Sequence, residues 1–361
     1  MSRDAATGSL DGDLSDRIRD QVRMAHESGT ALEIVGSGSK SFYGRPISAE
    51  PLPVAGHSGI VSYEPSELVL TARCGTPVAA IEAELTSHRQ MLGFEPPHFG
   101  PNATLGGAVA SGLSGPRRPF AGSVRDFVLG VKMVNGQGDI LSFGGQVMKN
   151  VAGFDMSRLM VGALGTLGVL LEVSLKVLPR PEQDLSLAFE MDASSALAAM
   201  NRWAGEGWPL SAACHDGSRL WIRLSGAAAS LARTRATLGG DVMAEGERFW
   251  DDLREQRLAY FEGPGNLWRL SMPSAVPMPA LAGRWVVDWG GALRWLRSDL
   301  SGDAVFAGAR DAGGHATLFR GEARGSVFQP LPPGMRELHI RLKKAFDPKG
   351  VFNPGRMYAD W

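Results

Sequence analysis

Cysteine is nearly absent from this chain of 361 residues, which contains only Cys74 and Cys214. Two thiols cannot form a disulfide framework or hold an iron–sulfur cluster, which needs about four thiolates. The sequence also contains no CxxC or HxxH pair, so we expect no metal. Both cysteines lie in apolar or strand-like surroundings, which predicts buried thiols and fits a reducing cytoplasm.

An excess of charge of one sign is also missing, as are long hydrophobic runs. The formal net charge is −1, so the chain has no electrostatic footprint for nucleic acid. No apolar run reaches the roughly 20 residues that span a bilayer, and the first residues lack the apolar core of a secretory signal. We expect a disordered tail over residues 1–13 and a cytoplasmic location.

Tryptophan is missing from the first 200 residues, although the chain contains nine. The earlier region is instead rich in glycine, valine and leucine. The polar, proline-bounded segment PRPEQD (179–184) follows a long apolar strand and marks a domain boundary. We predict a first domain over residues 14–180, a second over 185–329, and a C-terminal segment over 330–361.

Glycine is concentrated in the first domain, where it makes up 16 of the 76 residues from Gly93 to Gly168, against an average usage of roughly 7%. These glycines follow no regular period, which excludes collagen-like and solenoid folds. Glycine lets the backbone approach a ligand closely, so this segment is suited to wrapping N–H groups around a large flat anion. Tight hairpins explain the same glycines equally well, and both interpretations stay open.

Strands and helices alternate in the first third of the chain. A strand over residues 31–36 runs into the Gly/Ser loop GSGSKSFYG (36–44), an arrangement that often holds phosphate with backbone amides. The loop is not a dinucleotide fingerprint, since Ser41 replaces its last glycine, nor a Walker A motif, since Ser39 replaces its second glycine. A serine-rich surface turn is the alternative. Helices are predicted over 77–87 and within GGAVASGL (106–113).

Strand patterns dominate the rest. Residues 127–136 and 137–145 predict a hairpin that turns at Asn135-Gly136, and residues 168–179 alternate as a strand. In the second domain, helices are predicted over 194–204 and 230–239. Strands are predicted there for LSLAFEM (185–191), RLWIRLSG (219–226), LWRLSMP (267–273) and ATLFRG (316–321). The fold class is therefore α+β, with an antiparallel sheet in the second domain.

Five motifs, in this order, resemble the PCMH-type FAD-binding domain of the vanillyl-alcohol-oxidase flavoprotein superfamily. They are GSGSKSFYG (36–44), ATLGGAVASGLSGPRRP (103–119), GSVRDFVLGVKMVNGQG (122–138), FGGQVMKNVAGFD (143–155) and GALGTLGVLLEVSLKVLP (162–179). FDPKGVFNPGR (346–356) is similar to the closing segment of the glycolate and D-lactate dehydrogenases. The resemblance is narrowed to FAD-binding subunits of glycolate oxidase by four shorter motifs, namely SGPRRP, VMKNVAGFD, GGHATLFRG and NPGRMY. It extends from about Leu14 to the C-terminus.

The resemblance implies two α/β subdomains that bind FAD, an α+β cap, and a C-terminal segment that returns to the FAD domain. It places the Gly/Ser loop and residues 101–111 around the pyrophosphate and isoalloxazine, and residues 152–153 and 168–169 on the adenine and ribose side. The implied cofactor contacts are Gly36, Ser37, Gly38, Ser39, Lys40, Pro101, Asn102, Thr104, Leu105, Gly106, Gly107, Ser111, Gly112, Arg117, Ala152, Gly153, Gly168, Val169 and Asn353.

Two departures from the family pattern matter. Relatives that attach FAD covalently often carry a histidine in the first loop, whereas this chain has GSGSK, so we expect noncovalent FAD. Where close relatives have KNVAGYD, this chain has Phe154, so one phenolic hydroxyl is missing. The preceding Lys149 and Asn150 either contact the cofactor or end the loop.

Oxidation of a 2-hydroxy acid needs a base for the hydroxyl and a cation for the carboxylate. His98, beside the flavin segment, and His315, in the cap, are candidate bases, with His215 as a further one. Arg320 and the pair Arg117-Arg118 are the candidate cations, with Arg320 favoured as the catalytic one, because a guanidinium suits a carboxylate or a phosphate. As alternatives to these functional roles, His98 could belong to a structural turn, and Arg117-Arg118 could form a solvated basic face. The remaining histidines are predicted at the surface, namely His26, His57, His88 and His339.

The resemblance implies the FAD-binding subunit of a multi-subunit glycolate dehydrogenase that oxidises glycolate to glyoxylate. A second FAD subunit and an iron–sulfur subunit would be its partners, and it would contact the inner membrane face only indirectly through them. Three alternatives stay open: a flavin-bearing structural or relay subunit, a stand-alone FAD-dependent alcohol or sugar oxidase, and a binding module without a redox role.

Overall fold

The computed structural model of the protein describes residues 12–145, 155–322 and 325–361. The expected tail over 1–13 lies outside these ranges except for Gly12 and Asp13. Gly12 bridges to Ser58, and Asp13 accepts the backbone N–H of Ser15 at 2.9 Å. The described residues also exclude five positions that the sequence analysis singled out, namely Lys149, Asn150, Ala152, Gly153 and Phe154.

The first region combines helices with three small sheets. A parallel pair, β1–β2, precedes a five-stranded antiparallel sheet of order β3-β4-β8-β6-β7, and β5 pairs with β9. Its elements are α1 (Ser15–Ser28), β1 (Leu32–Val35), β2 (Glu50–Pro53), β3 (Ile60–Glu64), β4 (Val69–Arg73), α2 (Val78–Ser87), β5 (Gln90–Met91), α3 (Leu105–Ser111), α4 (Arg118–Ala121), α5 (Val124–Phe127), β6 (Val128–Val134), β7 (Ile140–Gly144), α6 (Met156–Leu159), β8 (Val169–Lys176) and β9 (Leu178–Pro179).

Local sequence explains the helices that shape this region. The helix predicted over 77–87 is confirmed as α2, with Pro77 just before its first residue. The short glycine-rich helix is confirmed as α3, which begins after Thr104 and ends at Gly112 in the left-handed conformation. The predicted hairpin is confirmed as β6–β7, and the side chain of Asn135 accepts the N–H groups of Gln137 and Asp139 in its turn.

The second region is one eight-stranded antiparallel sheet with helices against it, in the order β13-β10-β12-β11-β15-β16-β14-β17. The α+β class with an antiparallel cap sheet is thereby confirmed. Its elements are β10 (Gln183–Glu190), α7 (Ala193–Gly205), β11 (Leu210–His215), β12 (Arg219–Gly226), α8 (Ala228–Leu238), β13 (Asp241–Val242), α9 (Gly246–Arg254), β14 (Asn266–Ser271), β15 (Arg284–Asp288), β16 (Leu293–Ser298), α10 (Gly302–Asp311) and β17 (His315–Arg320).

The C-terminal residues pack on the first region. After α11 (Pro333–Phe346), the chain pairs with β1: Leu32 donates to Val351 O at 2.7 Å, and Asn353 donates to Leu32 O at 2.9 Å. The buried ammonium of Lys343 holds this return in place, donating to Thr166 O at 2.8 Å, Asp347 Oδ2 at 2.6 Å and Phe352 O at 2.9 Å.

An ionic cluster joins the two regions. The carboxylate of Glu95, from the first region, accepts Arg117 Nε at 3.1 Å and Arg223 Nη2, from β12, at 2.8 Å. Trp289, from the cap sheet, donates its indole N–H to Gly115 O at 2.9 Å. These contacts fix the cap against the segment that follows α3.

Two expectations about single residues have clear outcomes. Cys74 and Cys214 are free and buried, as predicted. The expectation that His57 lies at the surface is wrong: it is fully buried, and its Nδ1 accepts the backbone N–H of Leu14 at 3.0 Å. Within the described ranges, no helix is long and apolar enough to cross a membrane.

Candidate functional site

A cleft lies between β1, α3, the loop after α6 and the C-terminal return. It consists of two adjoining chambers with cavity volumes of about 90 Å³ and about 130 Å³. The first, the apolar chamber, is lined by side chains such as Val54, Met160 and Leu167. The second, the loop chamber, is lined by residues 36–41. Both are lined by Ile34, Gly36, Thr104, Gly107, Ala110, Leu164 and Asn353.

The Gly/Ser loop supplies a row of free backbone donors to the loop chamber. Within the described residues, the amide N–H groups of residues 37–40 donate to no protein acceptor, whereas Ser41 N donates to Gly38 O at 3.0 Å and closes the turn. Gly38 has φ +75°, and a Cβ at this position would meet open space. Consecutive free amides in a turn form a concave site that favours an anion.

Lys40 adds a positive charge beside these amides. Its Nζ donates to His98 O at 3.2 Å and to Ser39 Oγ at 3.4 Å. Burial lowers the pKa of Lys40 to about 8, and the nearby carboxylate of Glu255 partly opposes this shift. Glu255, just after α9, also accepts the backbone N–H groups of His98 and Phe99, so the cap positions the carbonyl that Lys40 binds.

Two residues of the C-terminal return complete the cleft. Asn353 Oδ1 accepts Ile34 N–H at 2.9 Å, and its Nδ2 donates to Leu164 O at 2.7 Å. Arg356 donates to the carbonyl oxygens of Ser41 at 2.9 Å and Tyr43 at 2.8 Å. The C-terminus therefore holds both the opposite wall and the far end of the Gly/Ser loop.

The first amides of α3 are already bonded inside the protein. Leu105 N donates to Thr76 O at 2.9 Å and Gly106 N to Cys74 O at 2.7 Å, while Gly107 N donates to Thr104 Oγ1 at 3.2 Å. A ligand can therefore pass close to Gly106 and Gly107, which have no side chain, but cannot receive hydrogen bonds from these N–H groups. The anion donors of the cleft are those of the Gly/Ser loop.

The structure places part of the predicted cofactor set in the cleft and part elsewhere. The residues that line it are Gly36, Ser37, Gly38, Ser39, Lys40, Thr104, Gly106, Gly107, Ser111, Gly168 and Asn353. The side chains of Leu105 and Val169 are wholly buried in hydrophobic clusters, so any contact of these residues with a ligand would be through the backbone. Pro101 and Asn102 are exposed, and a Cβ on Gly112 would lie 3.0 Å from Gly162 Cα.

Arg117 also lies outside the described lining of the cleft. Its side chain is buried and donates to Glu95 Oε1 and to Ser225 Oγ, both at 3.1 Å. The guanidinium is thus part of the junction between the two regions, because its carboxylate partner comes from protein rather than from a ligand.

None of the three predicted catalytic residues is among the described residues that line the two chambers, although the backbone carbonyl of His98 accepts a hydrogen bond from Lys40. His98 Nε2 lies 3.2 Å from Glu82 Oε2 of α2. His315 is exposed at the start of β17, where it pairs with Ser271. Arg320 ends β17, and its Cζ lies 4.5 Å from the Phe42 ring centroid and 5.2 Å from that of Phe99. His215 is buried and hydrogen-bonds Met191 O at 3.0 Å.

Sequence reasoning missed the apolar wall and the contacts of Arg356. Leu164 and Gly165 line the cleft at positive φ, and the glycine spacing in GALGTLG was a signal for such a turn. Arg356 lies in NPGRMY, but nothing in that motif shows that its guanidinium reaches carbonyls more than 300 residues away in sequence. Ile34, Val54 and Met160 are ordinary apolar residues and carry no signal of their own.

The residues of the cleft fit FAD. A pyrophosphate has two negative charges, which matches the free amides of residues 37–40 and the ammonium of Lys40. Gly38 and Gly107 leave room for a close approach, since a Cβ on Gly38 would meet nothing within 4 Å and one on Gly107 only Thr104 Oγ1 at 3.2 Å. The apolar chamber offers a hydrophobic surface for a flat ring system.

Comparisons with known proteins agree with this geometry. Residues 15–144 match the model of a family described as FAD binding domain. The chain is 52% identical to "Glycolate oxidase subunit GlcE" of Escherichia coli K12, over 96% of this chain and 98% of the relative. "Glycolate oxidase subunit GlcD" of Bacillus subtilis 168 is 41% identical over 85 residues, which are 24% of this chain and 18% of the relative.

A solved structure titled "alkyldihydroxyacetonephosphate synthase" has a TM-score of 0.63, with 16% identity over 94% of this chain and 75% of the other. That likeness shows the fold. The identity to GlcE, over nearly the whole of both chains, shows the family. This chain belongs to the GlcE family of glycolate oxidase subunits, and FAD is its cofactor.

Proposed function

We propose that the chain is the FAD-binding subunit of a multi-subunit dehydrogenase that oxidises glycolate, a 2-hydroxy acid, to glyoxylate. The observation that carries this proposal is the row of unbonded amides at residues 37–40, which lies in the cleft beside Lys40. The relative named as a glycolate oxidase subunit supports both the substrate and the assembly into a complex. GlcD, a shorter match to this chain, is the kind of second FAD subunit expected as a partner.

Each group of the cleft has a separate task in this proposal. The loop amides and Lys40 bind the pyrophosphate, while the apolar chamber excludes water from the flat end of the cofactor. Asn353 and Arg356 keep the loop at a fixed distance from the opposite wall. FAD, when bound, supplies the acceptor for a hydride from an alcohol carbon. Because the loop contains neither histidine nor cysteine, the cofactor is held without a covalent bond.

An iron–sulfur partner is proposed for the onward transfer of electrons. The chain has only two cysteines, and both are buried and free. An iron–sulfur cluster needs about four thiolates, so it must belong to another subunit. Membrane contact in this proposal is made by the partners.

A relay subunit is the second candidate, and one observation favours it. Among the described residues that line the two chambers there is no histidine, and burial raises the pKa of their one thiol, Cys74, well above its usual range. Lys40, whose pKa burial lowers to about 8, could act as such a base, but this proposal assigns its ammonium to the pyrophosphate. In this second proposal the sister subunit removes the hydride, and the flavin of this chain only passes electrons on.

Anaerobic reduction by glycolate tests both candidates. The visible flavin spectrum is recorded for the full chain alone and for the chain assembled with a GlcD-type subunit whose own flavin has been removed by mutation. We expect glycolate to bleach the flavin of this chain in at least one of the two preparations. Bleaching in the chain alone assigns hydride transfer to this subunit. Bleaching only by dithionite in both preparations contradicts glycolate oxidation at this flavin and supports the relay.

An assay of the chain alone, with oxygen as the only electron acceptor, distinguishes the proposed subunit from a stand-alone oxidase. A stand-alone alcohol or sugar oxidase produces hydrogen peroxide without a partner. The proposed dehydrogenase subunit produces none above the background of free FAD.

A further inference from the structure

Two arginines of the junction between the regions share one aromatic ring. The guanidinium carbon of Arg118, at the start of α4, lies 4.3 Å from the ring centroid of Trp289, and that of Arg269, in β14, lies 5.1 Å from it. Trp289 itself is only 4% exposed and is fixed by its indole bond to Gly115 O. Both arginines are partly buried.

Neither guanidinium has a counterion. Among the described residues, no carboxylate lies within 4 Å of Arg118 or Arg269, and neither side chain donates a hydrogen bond, whereas the neighbouring Arg117 and Arg223 both bind Glu95. Burial and the charge of Arg269 lower the pKa of Arg118. Two like charges in partly buried surroundings are unfavourable unless an anion joins them.

The nearest carboxyl groups do not fill this role. Asp126 exerts a weak attraction on Arg118 but is hydrogen-bonded to Ser123. Asp288 acts on Arg269, but its Oδ1 accepts the backbone N–H of Trp289, and burial raises its pKa to about 7. A carboxyl group that is half protonated at neutral pH is a poor counterion.

Tyr43 brings a third polar group to the same place. It belongs to the Gly/Ser loop and is buried, its ring packing on Phe319 at 5.2 Å between centroids. Its hydroxyl has no hydrogen-bond partner among the described residues, and the positive charge of Arg269 opposes the rise in its pKa that burial causes. The Gly/Ser loop, which lines the cleft, and the chain that follows α3 therefore both contribute to this cluster.

We infer that Arg118 and Arg269 hold the carboxylate of a small 2-hydroxy acid beside Trp289. This inference rests on the proposed function for the choice of a carboxylate. A guanidinium donates two parallel N–H bonds to a carboxylate, and the bond strengthens where water is excluded. The bound anion removes the repulsion between the two cations. Arg320, expected from the sequence to hold the carboxylate, is replaced in this role.

Calorimetric titration of the purified full chain, loaded with FAD and kept anaerobic, tests the inference. The probes are glycolate, its inert dicarboxylate analogue oxalate, neutral glycolamide and inorganic phosphate. We expect saturable oxalate and glycolate binding and none for glycolamide. Arg118→Gln and Arg269→Gln each weaken oxalate binding at least tenfold. Arg233→Gln is the matched control, since Arg233 is exposed on α8, and it leaves the affinity unchanged.

The midpoint of thermal unfolding of each variant provides a second readout. It distinguishes anion binding by the two arginines from a purely structural role in packing on Trp289. If the arginines only stack on Trp289, each Gln variant lowers the midpoint without any ligand. The inference predicts no such loss, because an uncompensated charge is removed, and predicts that oxalate no longer raises the midpoint. If a Gln variant does not fold, Arg118→Lys or Arg269→Lys replaces it in these measurements, because lysine keeps the charge but lacks the planar guanidinium.

Three results would overturn the inference. They are unchanged oxalate binding in both Gln variants, binding of phosphate alone, and loss of oxalate binding in Arg320→Gln but not in the other two variants. If the chain holds FAD but binds no oxalate, the inference fails and the proposed function stands. If the chain takes up no FAD, the proposed function fails, and the same titration of the FAD-free chain still decides the anion site.

Discussion

The side-chain oxygen of Asn353 accepts the backbone N–H of Ile34 at 2.9 Å, which joins the C-terminal return to the strand that leads into the Gly/Ser loop. The amide nitrogen of the same side chain donates to Leu164 O, on the opposite wall, at 2.7 Å. One side chain thus sets the width of the cleft. Asn353 does so from φ +41°, a conformation that asparagine adopts more readily than most residues.

Replacing Asn353 by alanine should weaken FAD binding by about tenfold, since two buried hydrogen bonds of roughly 1 kcal/mol each hold the walls together. Equilibrium titration of the FAD-free chain with FAD, followed by flavin fluorescence, measures this. Asn201→Ala is the control, because Asn201 makes comparable amide bonds to Leu197 O and Gly290 O within the cap. Equal losses of FAD affinity in the two variants would contradict a local role for Asn353.

Lys40 should make FAD binding depend on pH. Burial depresses its pKa to about 8 in the folded protein, so its ammonium is present at pH 7 and is lost as pH rises through 8. If only the charged form attracts the pyrophosphate, FAD binds about tenfold more weakly at pH 9 than at pH 7. Lys40→Arg stays charged and should abolish this dependence. The same pH profile in wild type and Lys40→Arg would show that another group titrates.

Glu95→Gln should destabilise the junction between the regions strongly. The buried carboxylate binds Arg117 and Arg223, and these charges hold its pKa below the usual range. Removing its charge leaves Arg223 without an ion-pair partner among the described residues and Arg117 with only the more exposed carboxylate of Asp184, at 3.7 Å. We expect a loss of about 3–5 kcal/mol in the free energy of unfolding. Urea denaturation at pH 7 measures it. Glu337→Gln, whose partner Arg341 is exposed on α11, is the matched control and should change the free energy by less than about 1 kcal/mol.

Asp288 should destabilise the fold at neutral and alkaline pH. Its folded pKa is raised to about 7 from 3.8, so the unfolded state binds fewer protons between these values and stability falls as pH rises from about 4 to about 7. Asp288→Asn keeps an oxygen to accept the N–H of Trp289 but cannot ionise. We expect a gain on the order of 2–4 kcal/mol at pH 8 and none at pH 4. A gain that is equal at both pH values would contradict this account.

The sequence predicted helices and strands well where the spacing of apolar residues agreed with residues that start or end such elements. The helix after Pro77 and the hairpin at Asn135 follow from proline, asparagine and the alternation of apolar residues. β16 was missed because all six of its residues are buried, two arginines included. Arg294 and Arg297 satisfy their charges by donating to carbonyl oxygens such as Pro277 O and Gly263 O, and no pattern in the sequence indicates such partners.

The site was predicted in part for the same physical reason. Glycines and the loop GSGSK mark close backbone approach, so the resemblance located the loop and α3 side of the cleft but not its apolar wall. The role of a side chain depends on partners that are distant in sequence. Arg117 forms an ion pair with Glu95, and the His98 ring lies against the carboxylate of Glu82. The cluster of Arg118 and Arg269 at Trp289 joins residues from both regions, and only the fold brings them together.

Flavin content is the measurement that tests the central claim most directly. The full chain is purified, its visible absorption is recorded, and the protein is precipitated with acid. The account predicts a flavin band of about one FAD per chain, with the yellow colour released entirely into the supernatant, because the loop amides hold the cofactor noncovalently. Colour that stays with the precipitate would contradict noncovalent binding. A colourless chain that takes up no FAD on reconstitution would contradict the assignment of the cleft itself.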